Sequence, residues 1–87
     1  MDQVTKPAVI AKLRELNPRV SDATIAIYAA AFVEHRTAQE NIDQHGAIVF
    51  HPRTGSPIDN PYVAARDRAS KTLLALDLRT GDLWTVS

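Results

Sequence analysis

The residues best able to do chemistry in this chain are three histidines, His35, His45 and His51, and two loose groups of cations. A metal site on a helix needs two ligands about one turn apart, and no two of these histidines stand at that spacing with a carboxylate between them. Neither a metal nor another cofactor is therefore expected. The sequence offers no Ser, His and Asp set, no paired buried carboxylates and, with three glycines in all, no phosphate-cradling loop. It reads as the sequence of a non-enzyme. What remains is charge: Lys6, Lys12, Arg14 and Arg19 lie near the start, and Arg66, Arg68, Lys71 and Arg79 near the end. Each group has acidic neighbours, Glu15 and Asp22 in the first, Asp67 and Asp77 in the second. Ten Lys and Arg balance ten Asp and Glu over 87 residues, so no global field steers the chain onto nucleic acid. Contact with double-stranded DNA is expected to be weak, largely non-specific and confined to a patch, which an assembly of copies would multiply. Lys6, Lys12, Arg14 and Arg19 are the candidate DNA contacts, because they flank a helix, NPRVS and helix order that loosely follows a helix-turn-helix.

The elements that carry these residues follow from local signals. Residues 1–5 read as a frayed end, and Pro7 suits a first helical turn, where its missing N–H would be unpaired anyway. Val9, Leu13 and Leu16, with Ile10 beside them, form the apolar side of a short helix that Asn17-Pro18 ends. Ser21 is an N-cap, Asp22 complements the helix dipole, and Val20 can staple against Ile25. The spacing predicts a second helix from Asp22 without a break to Gly46, about 36 Å long at its helical rise. Its apolar face is Ile25, Tyr28, Ala29 and Phe32, it turns polar at Arg36 and Gln39, and Ala29 to Ala31 keep its middle slim. AIVF is a short β-prone run, HPRTG is turn chemistry, and SPID can pair back as the second arm of a hairpin. Asn60-Pro61 then starts a third helix, expected to reach Leu78 through the leucine-rich run LLALDL.

The predicted fold is mainly α: a short N-terminal helix over 1–20, a long antiparallel helical pair with an inserted β-hairpin over 21–78, and an extended tail over 79–87, all in one domain. A lone domain of this size buries only about 60 to 65% of the surface its unfolded chain exposes, so self-association is the expected route to stability. The chain contains no cysteine, no apolar run near the ~20 residues of a membrane span and no signal region. It is read as a cytoplasmic protein with no membrane partner.

From residue 22 to about residue 78 this order resembles the small terminase subunits of tailed phages and related gene transfer agents. The resemblance rests on mid-helix Tyr28, Gly46, the strand AIVF, the turn RTG, the helix start DNPYV and the leucine-rich end LLALDL. It implies a non-enzymatic part of the DNA-packaging motor in a bacterial host cell. Such a subunit forms a ring, engages the DNA to be packaged, and recruits or regulates the ATPase and nuclease of the large terminase subunit. Two departures stand out. LDL stands where L-G-L is common and little chain follows it, so a long basic tail is absent, and no separate DNA-reading domain precedes the first helix.

On this reading Tyr28, Phe32, Ile48, Phe50, Leu73 and Leu76 are the candidates for contacts between copies. Hairpins of neighbouring subunits would pair side by side into a shared sheet. Trp84, with Leu83 and Val86 beside it and Gly81 as a hinge, is either a lid on the chain's own core or a peptide docking on the large subunit. Other functions fit the elements as well. A small repressor or antitoxin would read DNA with the second helix, and a structural assembly protein would bind none.

Overall fold

Capping chemistry sets every helix boundary in the computed structural model, which describes residues 5–85. Helix α1 is Lys6–Leu16, opened by the Thr5 hydroxyl, which accepts from the Ala8 N–H, and carrying Pro7 in its first turn. Helix α2 is Asp22–His45; the Ser21 hydroxyl accepts from the Thr24 N–H at 3.2 Å, and Gly46 closes the helix with φ +88°, donating its N–H to the Ile42 carbonyl. That φ lies in the region glycine enters without steric cost. Strands β1 (Ile48–Phe50) and β2 (Pro57–Asp59) form an antiparallel hairpin in which Ile48 faces Asp59, Val49 faces Ile58 and Phe50 faces Pro57. Helix α3 is Pro61–Leu76, capped by Asn60. Residues 1–4 of the expected frayed end lie outside the described residues.

Helices α2 and α3 pack along each other and run antiparallel. Asn60 at the start of α3 bonds Asn41, and Arg66, a turn and a half on, meets Gln39, so rising numbers on one helix meet falling numbers on the other. Helix α1 closes one end of the pair. Val9 and Leu13 from α1, Ile25, Tyr28, Ala29 and Phe32 from α2, Leu73 from α3 and Leu83 from the chain's last turn form one core. Half-buried Val20, Leu76 and Leu78 pack against it. The core thus lies in the α1 half of an elongated molecule of 51 × 28 × 16 Å, and the hairpin projects from the other end.

Two expectations are corrected here. Helix α3 ends at Leu76, two residues before the predicted Leu78, because Asp77 adopts a left-handed conformation (φ +48°) and gives its N–H to the Leu73 carbonyl. The early exit swings Leu78 onto the core. The tail is not extended: it turns back, and Leu83–Thr85 form a single turn of 3-10 helix against the body.

Candidate functional site

Three surfaces carry the predicted site residues. On the first, around α1, all four cations lie within one region, but two are already engaged. Arg14 pairs with Asp22 at the start of α2, and Lys12 reaches Asp82 of the tail at 3.7 Å. Lys6 and Arg19 are exposed and make no ion pair among the described residues. On α3, Arg66 is held by Asp67 and Gln39, whereas Arg68 and Lys71 are exposed and equally unpaired. Arg53 and Arg79 are exposed and outside these ion pairs too, so the cations available to a phosphate backbone are spread over α1, the hairpin tip and α3. The exposed residues of the first half of α2 are Asp22, Ala23, Ala26, Ile27 and Ala30. A recognition helix needs polar or basic side chains aimed at base edges. This face has none.

The hairpin is the second surface. Its root is fixed by Asn60, only 3% exposed, whose side-chain amide donates to the Gly46 carbonyl and to Asn41 Oδ1, both at 2.9 Å, while its Oδ1 accepts from the Tyr62 N–H. Its tip is satisfied internally. His51 exchanges backbone bonds with Ser56 and Gly55, and His51 Nδ1 accepts from the Arg53 N–H. On this hydrogen-bonded frame Ile48 is 55% and Phe50 71% exposed, with Ile58 also open to solvent. Arg53 at the tip and Ile58 are not among the candidates drawn from sequence, although a cation in a tight turn and an apolar residue opposite Val49 are both visible there.

The third surface is the tail. Asn17, buried at the end of α1, donates to the carbonyls of Leu13 and Arg79 and accepts from the Arg79 N–H, joining positions 62 residues apart. Gly81 is no loose hinge: its φ is +55° and a Cβ there would lie 3.1 Å from Leu16 Cδ1, so the chain passes close over α1. Leu83 is buried. The Trp84 ring lies 4.5 Å from Phe32 and 5.2 Å, edge-on, from His35, with 41% of the residue left exposed. Of the two expectations for the tail, these contacts are those of a lid. Val86 lies outside the described residues. Burial raises the Tyr28 phenol above its ordinary pKa, with the adjacent Trp84 acting the other way. Burial also lowers the pKa of His35, and Arg66 and then Arg36 push in the same direction.

The candidates for contacts between copies separate by place. Tyr28, Phe32 and Leu73 are buried in the chain's own core, and Leu76 is half-buried against it, so these four fill the fold and have little surface to offer a neighbour. Ile48 and Phe50 are the ones left open, joined by Leu74 of α3 at 79% exposure. Among the described residues no group of three or more His, Cys, Asp or Glu could hold a metal ion, and no helix is long and apolar enough to cross a membrane.

The helix, hairpin and helix order, fixed by Gly46 and Asn60, is what known families can be compared with. The family described as phage terminase, small subunit, matches residues 7–81. The chain belongs to that family. The match takes in all three helices and the hairpin and stops before Leu83 and Trp84. Terminase small subunits act in phage DNA packaging and are generally non-catalytic, which associates this one with DNA and with a large terminase subunit. No curated protein and no solved structure matches the chain.

Proposed function

We propose that this terminase small subunit is a non-enzymatic adaptor that assembles into a ring. The ring holds double-stranded DNA weakly and without marked sequence preference, and recruits or regulates the ATPase and nuclease of the large subunit in the cytoplasm of a bacterial host. The observation that carries the reading is the hairpin: a projection held by its own hydrogen bonds that presents Ile48, Phe50 and Ile58 to solvent. A monomer gains nothing from keeping such side chains in water, whereas an assembly buries them. Weak DNA binding follows from zero net charge and from the scatter of the unpaired exposed cations, Lys6 and Arg19 near α1, Arg53 at the hairpin tip, Arg68 and Lys71 on α3 and Arg79 beyond it.

Native mass spectrometry should show more than four subunits; a concentration-independent monomer would sink the reading. Titration of fluorescent duplexes at low and physiological salt should show steep loss of binding and little difference between sequences. Lys6→Ala and Arg19→Ala should each reduce the salt slope by about 1 for every phosphate that the side chain had neutralised. Nanomolar affinity for one sequence at physiological salt would instead favour a transcriptional regulator.

A further inference from the structure

A neighbour can meet the hairpin at its backbone edge or at its side-chain face, and the register decides between them. The Asn60 N–H donates to Ala47 and the His51 N–H to Ser56, on either side of the three facing pairs. Bonded and non-bonded pairs alternate in an antiparallel ladder, so Val49 and Ile58 turn their backbone groups toward each other, and Ile48, Phe50, Pro57 and Asp59 turn theirs outward. Pro57 has no N–H to present. A sheet continued around a ring would need β1 of each copy to pair with β2 of the next, and Asp59 alone supplies an outward donor on that strand. The edge is blunted; the face bearing Ile48 and Phe50 is not.

A surface suited to that face lies on the body. Trp84 stands between two depressions that share His35. One of about 250 Å³ is lined also by Arg36, Gln39, Glu40 and Asp43, and the other, of about 200 Å³, by Ser70, Leu73 and Leu74. Leu74 and the open edge of Trp84 make its rim apolar. Glu40 is exposed and makes no ion pair among the described residues, and neither does Arg53 at the hairpin tip.

We propose that the hairpin of one copy seats on the Trp84 surface of the next, with Phe50 against Leu74 and Trp84 and Arg53 directed to Glu40 and Asp43. The proposal rests on the ring reading and names its contact. Donor and acceptor are different patches of one chain, so each copy gives its hairpin to one neighbour and receives a hairpin from the other. A heterologous contact of this kind closes into a ring when its rotation returns to the start. The two patches cannot satisfy each other within a chain, because Leu74 lies about 20 Å along α3 from Pro61, beyond the reach of a hairpin rooted at Asn60.

The chain has no cysteine, so introduced thiols report only on the contact under test. In the full chain carrying both Phe50→Cys and Leu74→Cys, mild oxidation should give a ladder of covalently joined copies up to the size of the native assembly. Each single variant should stay unlinked. Both positions are largely exposed, so the fold should tolerate them, which circular dichroism checks. Independently, Arg53→Glu should raise the concentration of half-assembly about tenfold, and adding Glu40→Arg should restore it, as expected for a charge pair at an interface. Native mass spectrometry of the unaltered chain separates the two ways to fail. A ring that gives neither ladder nor charge-swap rescue overturns the seat and leaves the ring; a monomer overturns both. Disulfide dimers of Phe50→Cys alone would place hairpin against hairpin and overturn the seat as well.

Discussion

The hairpin and the C-terminal segment are both short, lie outside the three α-helices and carry an aromatic residue, and the molecule treats them in opposite ways. Hydrogen bonds of the hairpin are local, running between His51, Ser56, Gly55 and Arg53, with Asn60 anchoring the root to Asn41 and Gly46. The tail has one local backbone bond, from the Leu83 N–H to the Thr80 carbonyl, and is otherwise held by long-range contacts. Arg79 is tied to Asn17, Asp82 to Lys12, and Trp84 rests on Phe32. A segment whose backbone is satisfied by itself can hold its side chains away from the body, so Phe50 adds little to stability and is free for an interface. A segment satisfied by distant residues becomes part of the core, and its aromatic residue then contributes to holding the fold together.

The contrast can be broken most directly by removing one aromatic from each region. Deleting residues 82–87 removes the buried Leu83 and Trp84, whose ring packs against Phe32, and should cost about 3 kcal/mol, as for loss of a large apolar side chain from a core. Phe50→Asp should leave stability within about 0.5 kcal/mol, as for an exposed position, while lowering the order of the assembly, because a charge trapped between copies is costly. Urea titration at a concentration low enough to separate the copies, alongside native mass spectrometry, tests both. Equal losses of stability would erase the distinction.

A smaller effect is expected at the hairpin's root. Asn60→Ala removes the α3 cap and leaves the Gly46 carbonyl and Asn41 without their donor, in a place where water does not reach easily. The expected cost is about 2 kcal/mol. It should also loosen the hairpin's direction, so hydrogen exchange should quicken at residues 47–59 and not at 79–85. Faster exchange in both regions would mean that the root and the tail are coupled.

The two regions also differ in how far sequence could reveal them. As caps, Ser21, Gly46 and Asn60 act on groups within four residues, so the boundaries of α2, the hairpin and the start of α3 are legible from spacing, although Asn60's bonds to Gly46 and Asn41 are not. Asp77 is not, because a left-handed aspartate at a helix end competes with the strong helical tendency of LLALDL and wins only when Leu78 finds the core. The docking of the tail depends on Asn17 meeting Arg79 across 62 positions, and no local pattern encodes that. The same limit applies to the site. An apolar stripe containing Tyr28 and Phe32 reads identically whether the chain's own tail or another copy covers it, and the tail does. Likewise the cations of α1 are legible, but the Arg14 to Asp22 pairing across the turn is not.

The finest difference between the regions concerns pH and rests on His35, whose ring meets the edge of Trp84 and whose Nδ1 is buried without a hydrogen-bond partner. Burial, then Arg66 and Arg36, lower its pKa beneath the ordinary value of 6.5. Below that value the unfolded chain takes up a proton that the folded chain resists, so the unfolded state binds more protons and stability rises with pH across this window. The contribution is whole above the unfolded pKa and is lost as pH drops from about 6.5 toward the lowered folded value. His35→Leu removes both the titration and the unpaired nitrogen, so the variant should lose less stability than the parent over that window. Other titrating groups act on both chains and cancel in the difference. The single tryptophan lies in the tail itself, so its fluorescence follows that segment while far-ultraviolet circular dichroism follows the helices. If the tail belongs to the core, the two signals should move together at every pH. Parallel pH dependence in parent and variant would remove His35 from the account, and a tryptophan transition well before the helical one would return the tail to the class of detachable segments.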